Sequence, residues 1–288
     1  MIELAQVPLL TEPIVIAAFE GWNDAGECAT NVVEHLASVW DATLIAAMDP
    51  EEYYDFQVNR PKITMVDGTR SMQWPTTRVL LIKHDVSPLG RDVILILGIE
   101  PSIRWRSYAS EILAFAQHHE ASMLITLGGL LADVPHTRPI PVSVSSEDAH
   151  LRSLGEDIER STYEGPAGIV GVINEQARQI DLPSLSCWAA VPHYAGGAPS
   201  PKASLALLSR LEEFLGCVID DTELIEEARA WERGVDELAA SDEEVAEYVE
   251  SLEQQQDTAE LPEASGDAIA KEFERYLRRR DDGGPATG

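Results

Sequence analysis

The stretch IVIAAFEGWNDAGE at residues 14–27 determines how the fold begins. Its apolar, largely β-branched run at 14–19 stops at Gly21, which is typical of a short buried strand. Apolar residues then recur with helical spacing, at Ala29, Val32, Val33, Leu36 and Ala37. The segment therefore predicts a strand, a tight turn and a helix, with Asn23 or Asp24 as the helix N-cap.

The same alternation continues along the chain. Apolar runs predict further strands, and amphipathic periods predict helices at 107–118 and 202–215. The predicted strands are 44–48, 79–84, 93–98, 123–127 (ending in Gly128-Gly129) and 185–191. Strands that alternate with helices indicate an α/β fold with three α/β/α layers and a mostly parallel sheet. Residues 168–173 read as a glycine-interrupted strand or a strand-to-helix turn, and 49–78 and 131–165 as loops or small hairpins.

The composition changes after Gly216, because residues 220–288 hold 22 acidic and 7 basic side chains. A 4-3-4-3 apolar spacing from Leu224 to Leu238 predicts one helix. Ser241-Asp242-Glu243-Glu244 reads as the capping box of a second helix. The polar stretch 254–266 is predicted to be flexible. The spacing of Ile269, Phe273 and Leu277 predicts a short helix, and residues 278–288 are predicted to be disordered. We expect an α/β domain at 1–218, an acidic helical hairpin at 219–256 and a flexible segment at 257–288.

The acidic hairpin cannot bury its apolar seam alone, so two roles remain open for it. It is either a cap on the α/β domain or an interaction arm that reaches a partner. The residues that would make the arm's contacts are Leu224, Trp231, Leu238 and Tyr248.

A formal net charge of −29 disfavours partners that are themselves strongly negative. Nucleic acid and anionic membranes are bound by clustered Lys and Arg, so we expect neither as a partner. The first basic side chain is Arg60, and no apolar run approaches the length of a membrane span. These features predict a cytoplasmic protein. Its three cysteines, Cys28, Cys187 and Cys217, are expected to be free and mostly buried thiols.

Three glycine-rich turns follow predicted strands, at 20–26, 127–133 and 165–171. Because ligands bind at the carboxyl edge of α/β sheets, these turns and the polar residues near them form a candidate pocket. Its residues are Gly21, Asn23, Asp24, Gly128, Gly129, Asp133, His136 and Arg138. At the first turn, helix capping by Asp24 is favoured over phosphate binding, because a carboxylate there opposes an anion.

The sequence does not identify catalytic residues. The sequence has no GxSxG elbow, and Ser186-Cys187 reads as part of a core strand. No spacing of His, Cys or carboxylates predicts a metal site, and no motif predicts a cofactor. Glu100, Arg104 and Arg106 suggest an ion-pair cluster around Trp105.

Several segments together resemble one known family, the actinobacterial branch of the proteasome assembly chaperone 2 family. The resemblance covers about residues 10–216, and the acidic tail suits that branch. The segments that carry it are FEGWNDAG at 19–26, PEEYYDF at 50–56 with Arg60-Pro61, GIEP at 98–101 with Arg104-Trp105, LGGL at 127–130 with Arg138-Pro139, EGPAGIVG at 164–171 and VPHY at 191–194.

The resemblance implies a phosphorylase/hydrolase-like fold, frequent self-association with a trimer favoured by fold analogy, and proteasome subunits as candidate partners. It supplies no catalytic residues. Some relatives dock through a penultimate tyrosine, whereas this chain ends in Pro285-Ala286-Thr287-Gly288. We expect a non-enzymatic assembly or scaffold protein that presents its acidic arm to a basic or mixed partner. The alternative is an enzyme or a binder of a nucleoside-like or sugar-like ligand at the carboxyl edge.

Overall fold

A nine-stranded sheet with helices on both faces dominates the computed structural model of the chain. The structure describes residues 2–4, 10–66, 68–197 and 199–260. The predicted short helix at 269–277 and the tail after it lie outside these residues.

The strands within the described residues are two to ten residues long. They are Ile2–Leu4 (β1), Ile14–Glu20 (β2), Thr43–Met48 (β3), Lys62–Val66 (β4), Thr69–Gln73 (β5), Arg78–Ile82 (β6), Val93–Ile99 (β7), Met123–Ala132 (β8), Val142–Ser145 (β9), Ile158–Glu159 (β10) and Ser184–Pro192 (β11).

The α-helices alternate with these strands up to residue 215 and then follow one another. They are Cys28–Val39 (α1), Trp105–His118 (α2), Ala149–Arg152 (α3), Ile169–Gln179 (α4), Pro201–Leu215 (α5), Thr222–Ser241 (α6) and Glu243–Glu260 (α7).

The strand order is β1-β3-β6-β7-β2-β8-β11-β9-β10. The central strands β7, β2, β8 and β11 run parallel, as the alternation of strands and helices predicts. The pairings of β1 with β3, β3 with β6, β6 with β7 and β11 with β9 are antiparallel, so the sheet as a whole is mixed. The separate hairpin β4–β5 forms a second, two-stranded sheet.

Successive side chains of β2 enter opposite cores, because strand side chains alternate between the faces of a sheet. Ile14, Ile16 and Ala18 belong to the core that α1 and α5 cover. Val15, Ala17 and Phe19 belong to the core that α2 and α4 cover. This confirms the α/β/α layering, with the continuous apolar run of β2 explained by burial on both faces.

Two boundaries differ from the sequence-based expectation. Strand β8 does not end at Gly128-Gly129 but runs through both residues to Ala132, because β11 pairs with it along its whole length. Residues 168–173 form no strand; Gly168 is instead the N-cap of α4.

The junction between the last two helices also differs from its prediction. Ser241 is the last residue of α6, and its hydroxyl donates to the Leu238 carbonyl at 2.7 Å. The cap of α7 is Asp242, whose carboxylate accepts from the amides of Glu244 at 3.0 Å and Val245 at 3.4 Å. Helix α7 continues to Glu260, so residues 254–260 are helical rather than flexible. No helix in the described part of the chain is long and apolar enough to cross a membrane.

Leu95, in the centre of β7, gives a direct test of the core. We expect Leu95→Ala to lower the free energy of unfolding by about 2–5 kcal/mol, because it leaves a cavity that the sheet cannot close. Leu154→Ala, at a surface position, should change it by less than about 0.5 kcal/mol. Guanidinium denaturation measures both, and similar losses for the two variants would contradict the packing of β7.

Candidate functional site

The turn between β2 and α1 is built around the Asp24 carboxylate. It accepts hydrogen bonds from the Ala29 amide at 2.7 Å, the Thr30 amide at 3.3 Å and the Thr30 hydroxyl. Gly26 and Glu27 have φ values of 61° and 51°, which turn the chain so that Asp24 reaches amides five and six residues ahead. The Asp24 side chain therefore caps α1, which is the role that the sequence favours. The N-cap position itself is Glu27, because a 3-10 turn at Ala25–Glu27 separates Asp24 from the helix.

A second carboxylate caps helix α4 from another strand. The Ile169 amide and the Asn23 side-chain Nδ2 donate to the same Glu100 oxygen, at 2.8 Å and 2.6 Å. The expected ion-pair cluster around Trp105 is wrong, because Glu100 turns toward α4 while Arg104 pairs with Glu52. The sequence signal for this cap is indirect: Gly168 at the N-cap of α4 carries no capping side chain of its own.

Asn23 holds the two caps together. It is 1% exposed, and its backbone carbonyl accepts from the Gly129 amide at 2.8 Å. A Cβ added at Gly168 would lie 2.0 Å from the Asn23 Oδ1, so only glycine leaves room for this side chain. The first turn, β7, β8 and α4 therefore meet at one closely packed point.

Gly128 and Gly129 contribute space rather than an unusual backbone conformation, since neither has a positive φ. A Cβ on Gly128 would lie 2.6 Å from the Trp188 ring, and one on Gly129 would lie 2.5 Å from the Cys28 sulfur. These glycines let β8 approach the first turn and the indole. Burial raises the pKa of the Cys28 thiol well above its ordinary value, so this thiol is not a nucleophile at neutral pH.

The N-termini of α1 and α4 both lie at the carboxyl edge of the parallel strands. A helix N-terminus attracts an anion, such as the phosphate or carboxylate of a ligand. Here Asp24 and Glu100 already supply that negative charge. The arrangement favours capping of the helices by the chain itself and opposes an anionic ligand in the same places.

The remaining candidate residues lie elsewhere, beneath α6 and α7. His136 contacts the Tyr194 hydroxyl through Nδ1 at 2.8 Å and Asp236 through Nε2 at 3.0 Å. Arg138 donates to both Asp257 carboxylate oxygens, at 2.8 and 2.9 Å. Asp133 accepts from the Tyr248 hydroxyl at 2.9 Å. The structure thus divides the eight candidate residues into a capping group (Gly21, Asn23, Asp24, Gly128 and Gly129) and a tail-contacting group (Asp133, His136 and Arg138).

Lys202 and Thr137 add further contacts to the tail-contacting group. The Lys202 ammonium bonds the His136 carbonyl and Glu232, and Thr137 bonds Glu253. We call these contacts the tail latch, made by Asp133, His136, Thr137, Arg138 and Lys202 with α6 and α7. The latch contacts were not predicted from the sequence; the signal that could have indicated them is the presence of two basic residues, Arg138 and Lys202, in a strongly acidic chain.

The four predicted arm residues differ in how far the α/β domain and the neighbouring helices bury them. Leu224 is buried, Trp231 and Tyr248 are half-buried, and Leu238 is exposed. Ala239 takes the buried position expected for Leu238. The seam of α6 therefore follows 4-3-4-4 spacing, because a straight helix drifts from a strict seven-residue repeat. Contact of these residues with a partner stays a prediction.

No group of three or more metal-binding side chains occurs among the described residues. Cys28 and Cys187 are buried free thiols, and Cys217 is half-buried, as expected.

The Asp24 cap predicts a pH-dependent stability. Burial raises the pKa of Asp24 to about 6, although hydrogen bonds from Thr30 and Ala29 act in the opposite direction. The folded chain then binds this proton more tightly than the unfolded chain, whose Asp has a pKa of about 3.9. Stability from this group is complete below pH 4 and is lost as the pH rises through 6.

We therefore expect the free energy of unfolding of the wild type, relative to Asp24→Asn, to fall by up to about 3 kcal/mol between pH 4 and 7. Urea titrations across this range measure the difference. Asp85→Asn, at an exposed carboxylate, is the control and should show no such trend. A wild-type advantage that rises with pH would contradict the buried cap.

The tail latch predicts a local change in dynamics. Arg138→Ala removes the bidentate contact to Asp257, and partly exposed ion pairs contribute about 0.2–1 kcal/mol. Hydrogen exchange in residues 243–258 should therefore accelerate by about 1.4- to 5-fold. Arg229→Ala, which removes an exposed charge from the outside of α6, is the matched control. Equal exchange in both variants would show that Arg138 does not hold α7.

Comparisons with known proteins place this geometry in a family. The model of the PAC2 family matches residues 18–239. A PAC2 family protein from Streptomyces avermitilis is 49% identical, with a TM-score of 0.75, over 82% of this chain and 99% of that one. A proteasome-assembly chaperone homologue from Mycobacterium tuberculosis is 45% identical, with a TM-score of 0.73, over the same shares of the two chains.

A more distant structure shares the fold alone. It is PbaB, an archaeal proteasome activator from Pyrococcus furiosus, with 20% identity and a TM-score of 0.67 over 83% of this chain and 98% of that one. None of the curated proteins matches the chain. The family model extends from β2 into α6, the two nearer structures each cover 82% of the chain, and the chain belongs to the PAC2 family.

Proposed function

We propose that this chain is a cytoplasmic, homo-oligomeric assembly or scaffold protein that acts through protein–protein contacts, with proteasome-related proteins as its partners. One relative at 45% identity is a proteasome-assembly chaperone homologue. A structure with the same fold is a proteasome activator. These relatives support the class of partner.

The observation that carries the proposal is the filled carboxyl edge. In an α/β enzyme this edge holds the substrate, often with a helix N-terminus against its charged group. Here the Asp24 and Glu100 carboxylates occupy the N-termini of α1 and α4, and Asn23 is buried between them. The free amides at these N-termini, which could bind an anionic ligand, are therefore already bonded within the chain. This favours the binding of other proteins through the outer surface.

The outer face of α6 and α7 is the surface that we assign to a partner. Residues 220–260 hold 16 acidic and two basic side chains. The latch uses Glu232, Asp236, Glu253 and Asp257, while other carboxylates of the two helices are exposed. A rigid acidic face of this kind attracts a basic or mixed surface and raises its association rate.

Neutralising three exposed carboxylates on this face tests the assignment. The substitutions Glu237→Gln, Glu244→Gln and Glu247→Gln remove charge without touching the latch contacts. We expect the triple variant to recover roughly 5- to 100-fold less partner than the wild type in a pull-down from the protein's own cell extract, because rim charges set steering and affinity. Quantitative mass spectrometry measures the recovery.

The control removes the same net charge from the α/β domain, through Asp85→Asn, Glu156→Gln and Glu164→Gln at exposed positions. It should capture partner as the wild type does. Equal capture by both triple variants would show that the acidic face does not bind the partner. Recovery of the wild-type chain alone with a bound nucleoside-like or sugar-like molecule would favour the ligand-binding alternative.

A further inference from the structure

The hairpin β4–β5 stands apart from both cores. It forms its own two-stranded sheet, with Ile63 paired to Met72 and Met65 paired to Arg70. Every described residue of the two strands is exposed except Thr64, which is half-buried. A two-stranded hairpin is marginally stable in water without support on one face. This hairpin therefore presents a face that its own chain leaves uncovered.

One face of the hairpin is apolar. Cross-strand partners and residues two apart share a face, so Ile63, Met65, Met72 and Arg70 lie together. The three apolar side chains are 51%, 67% and 50% exposed, and Trp74, next in the alternation, is 45% exposed. A contiguous apolar patch on a strand pair is a pairing site that soluble proteins normally cover.

The base of the hairpin is anchored to the body. The Trp74 ring contacts the Phe56 ring, with centroids 4.9 Å apart, and Phe56 packs against the core beneath α2 and α4. This contact ties the Trp74 end of the hairpin to the α/β domain and limits the orientations of its apolar face. Such preorganisation lowers the entropic cost of docking.

The charge of the hairpin is opposite to that of the whole chain. Residues 60–75 hold three basic side chains, Arg60, Lys62 and Arg70, and one acidic side chain, Asp67, in a chain of net charge −29. No ion pair or hydrogen bond among the described residues involves these three cations. Of the two cations within the strands, Arg70 lies on the apolar face and Lys62 on the opposite face. Two apolar faces placed together would bring two Arg70 guanidinium groups into one interface, so contact between two hairpins is disfavoured.

The same chain carries a surface complementary to the hairpin. A cleft of about 450 Å³ lies between α1 and α6. Its lining combines the carboxylates Glu27, Glu34 and Glu227 with the apolar groups of Pro199, Pro201 and Ala230. Glu34 pairs with Arg78 at 3.2 Å, which leaves Glu27 and Glu227 to match Arg70 on the apolar face of the hairpin. The volume of the cleft suits the large apolar side chains of that face.

We infer that the hairpin β4–β5 is a self-association element whose apolar, basic face docks in the acidic α1–α6 cleft of a second copy of this chain. The inference rests on the self-association that the proposed function assumes, and it names the two surfaces in contact. The contact also reduces the repulsion between copies that each carry a net charge of −29, because it places Arg70 of one copy against carboxylates of the other.

Sedimentation velocity of the purified full-length chain tests the docking. The wild type should form an oligomer. The variant Met65→Glu/Met72→Glu puts two carboxylates on the apolar face, and we expect it to associate at least roughly 100-fold more weakly, because burying unpaired charges in an interface is unfavourable. The matched control, Thr69→Glu/Ser71→Glu, puts the same charges on the opposite face of the hairpin and should associate as the wild type does.

Charge exchange identifies the cleft as the docking surface. Arg70→Glu, on the apolar face, and Glu27→Lys/Glu227→Lys in the cleft should each weaken self-association, and an equimolar mixture of the two variants should restore it. A monomeric wild type, an unaffected Met65→Glu/Met72→Glu variant, or a mixture that stays monomeric would overturn the inference. Sedimentation involves no other protein, so its failure is distinguishable from a failure to capture a proteasome-related partner.

Discussion

The hydrogen bonds of two carboxylates, Asp24 and Glu100, organise the carboxyl edge of this sheet. Asp24 closes the N-terminus of α1, and Glu100 closes the N-terminus of α4 while also fixing Asn23. Four parallel strands and two helical layers meet at this point. The fold therefore uses for its own cohesion the positions at which related architectures hold a charged ligand.

Because the edge is filled, the surfaces open to other molecules lie further out. The acidic helices α6 and α7 are held against the body by Arg138, Lys202 and His136, and their outer carboxylates face solvent. The hairpin β4–β5 projects with an apolar and basic face. The acidic face of α6 and α7 attracts cationic groups, whereas the hairpin carries cationic groups of its own. Two surfaces of different charge suit a protein that binds copies of itself and an additional partner.

Much of the fold follows from local pattern. The β-branched runs of β2 and β7, the period of α5 and the glycine after it predict strands and helices at nearly their observed positions. The capping role of Asp24 can also be predicted, because an Asp just before an amphipathic period commonly accepts hydrogen bonds from the free amides of the helix. The segregated acidic tail predicts its helices, apart from the position of the α7 cap and the length of α7.

Long-range contacts could not be predicted in the same way. The cap of α4 comes from Glu100, 69 residues earlier in the chain, and Gly168 beside Ile169 shows only that the helix has no capping side chain of its own. The latch contacts of Asp133 and His136 with α6 and α7 join residues 100 or more positions apart, so these pairs depend on the docking of whole helices. Gly128 and Gly129 look like a strand end in the sequence, whereas the Trp188 ring and the first turn require their small size within β8.

Native mass spectrometry of the full-length chain, purified under non-denaturing conditions from its own cells, tests most directly whether the protein works through protein contacts. We expect masses at multiples of the chain and complexes with a proteasome-related protein, each without a small-molecule adduct. A monomer that carries a stoichiometric nucleoside-like, sugar-like or phosphorylated molecule would contradict it, because such a ligand requires an open carboxyl edge.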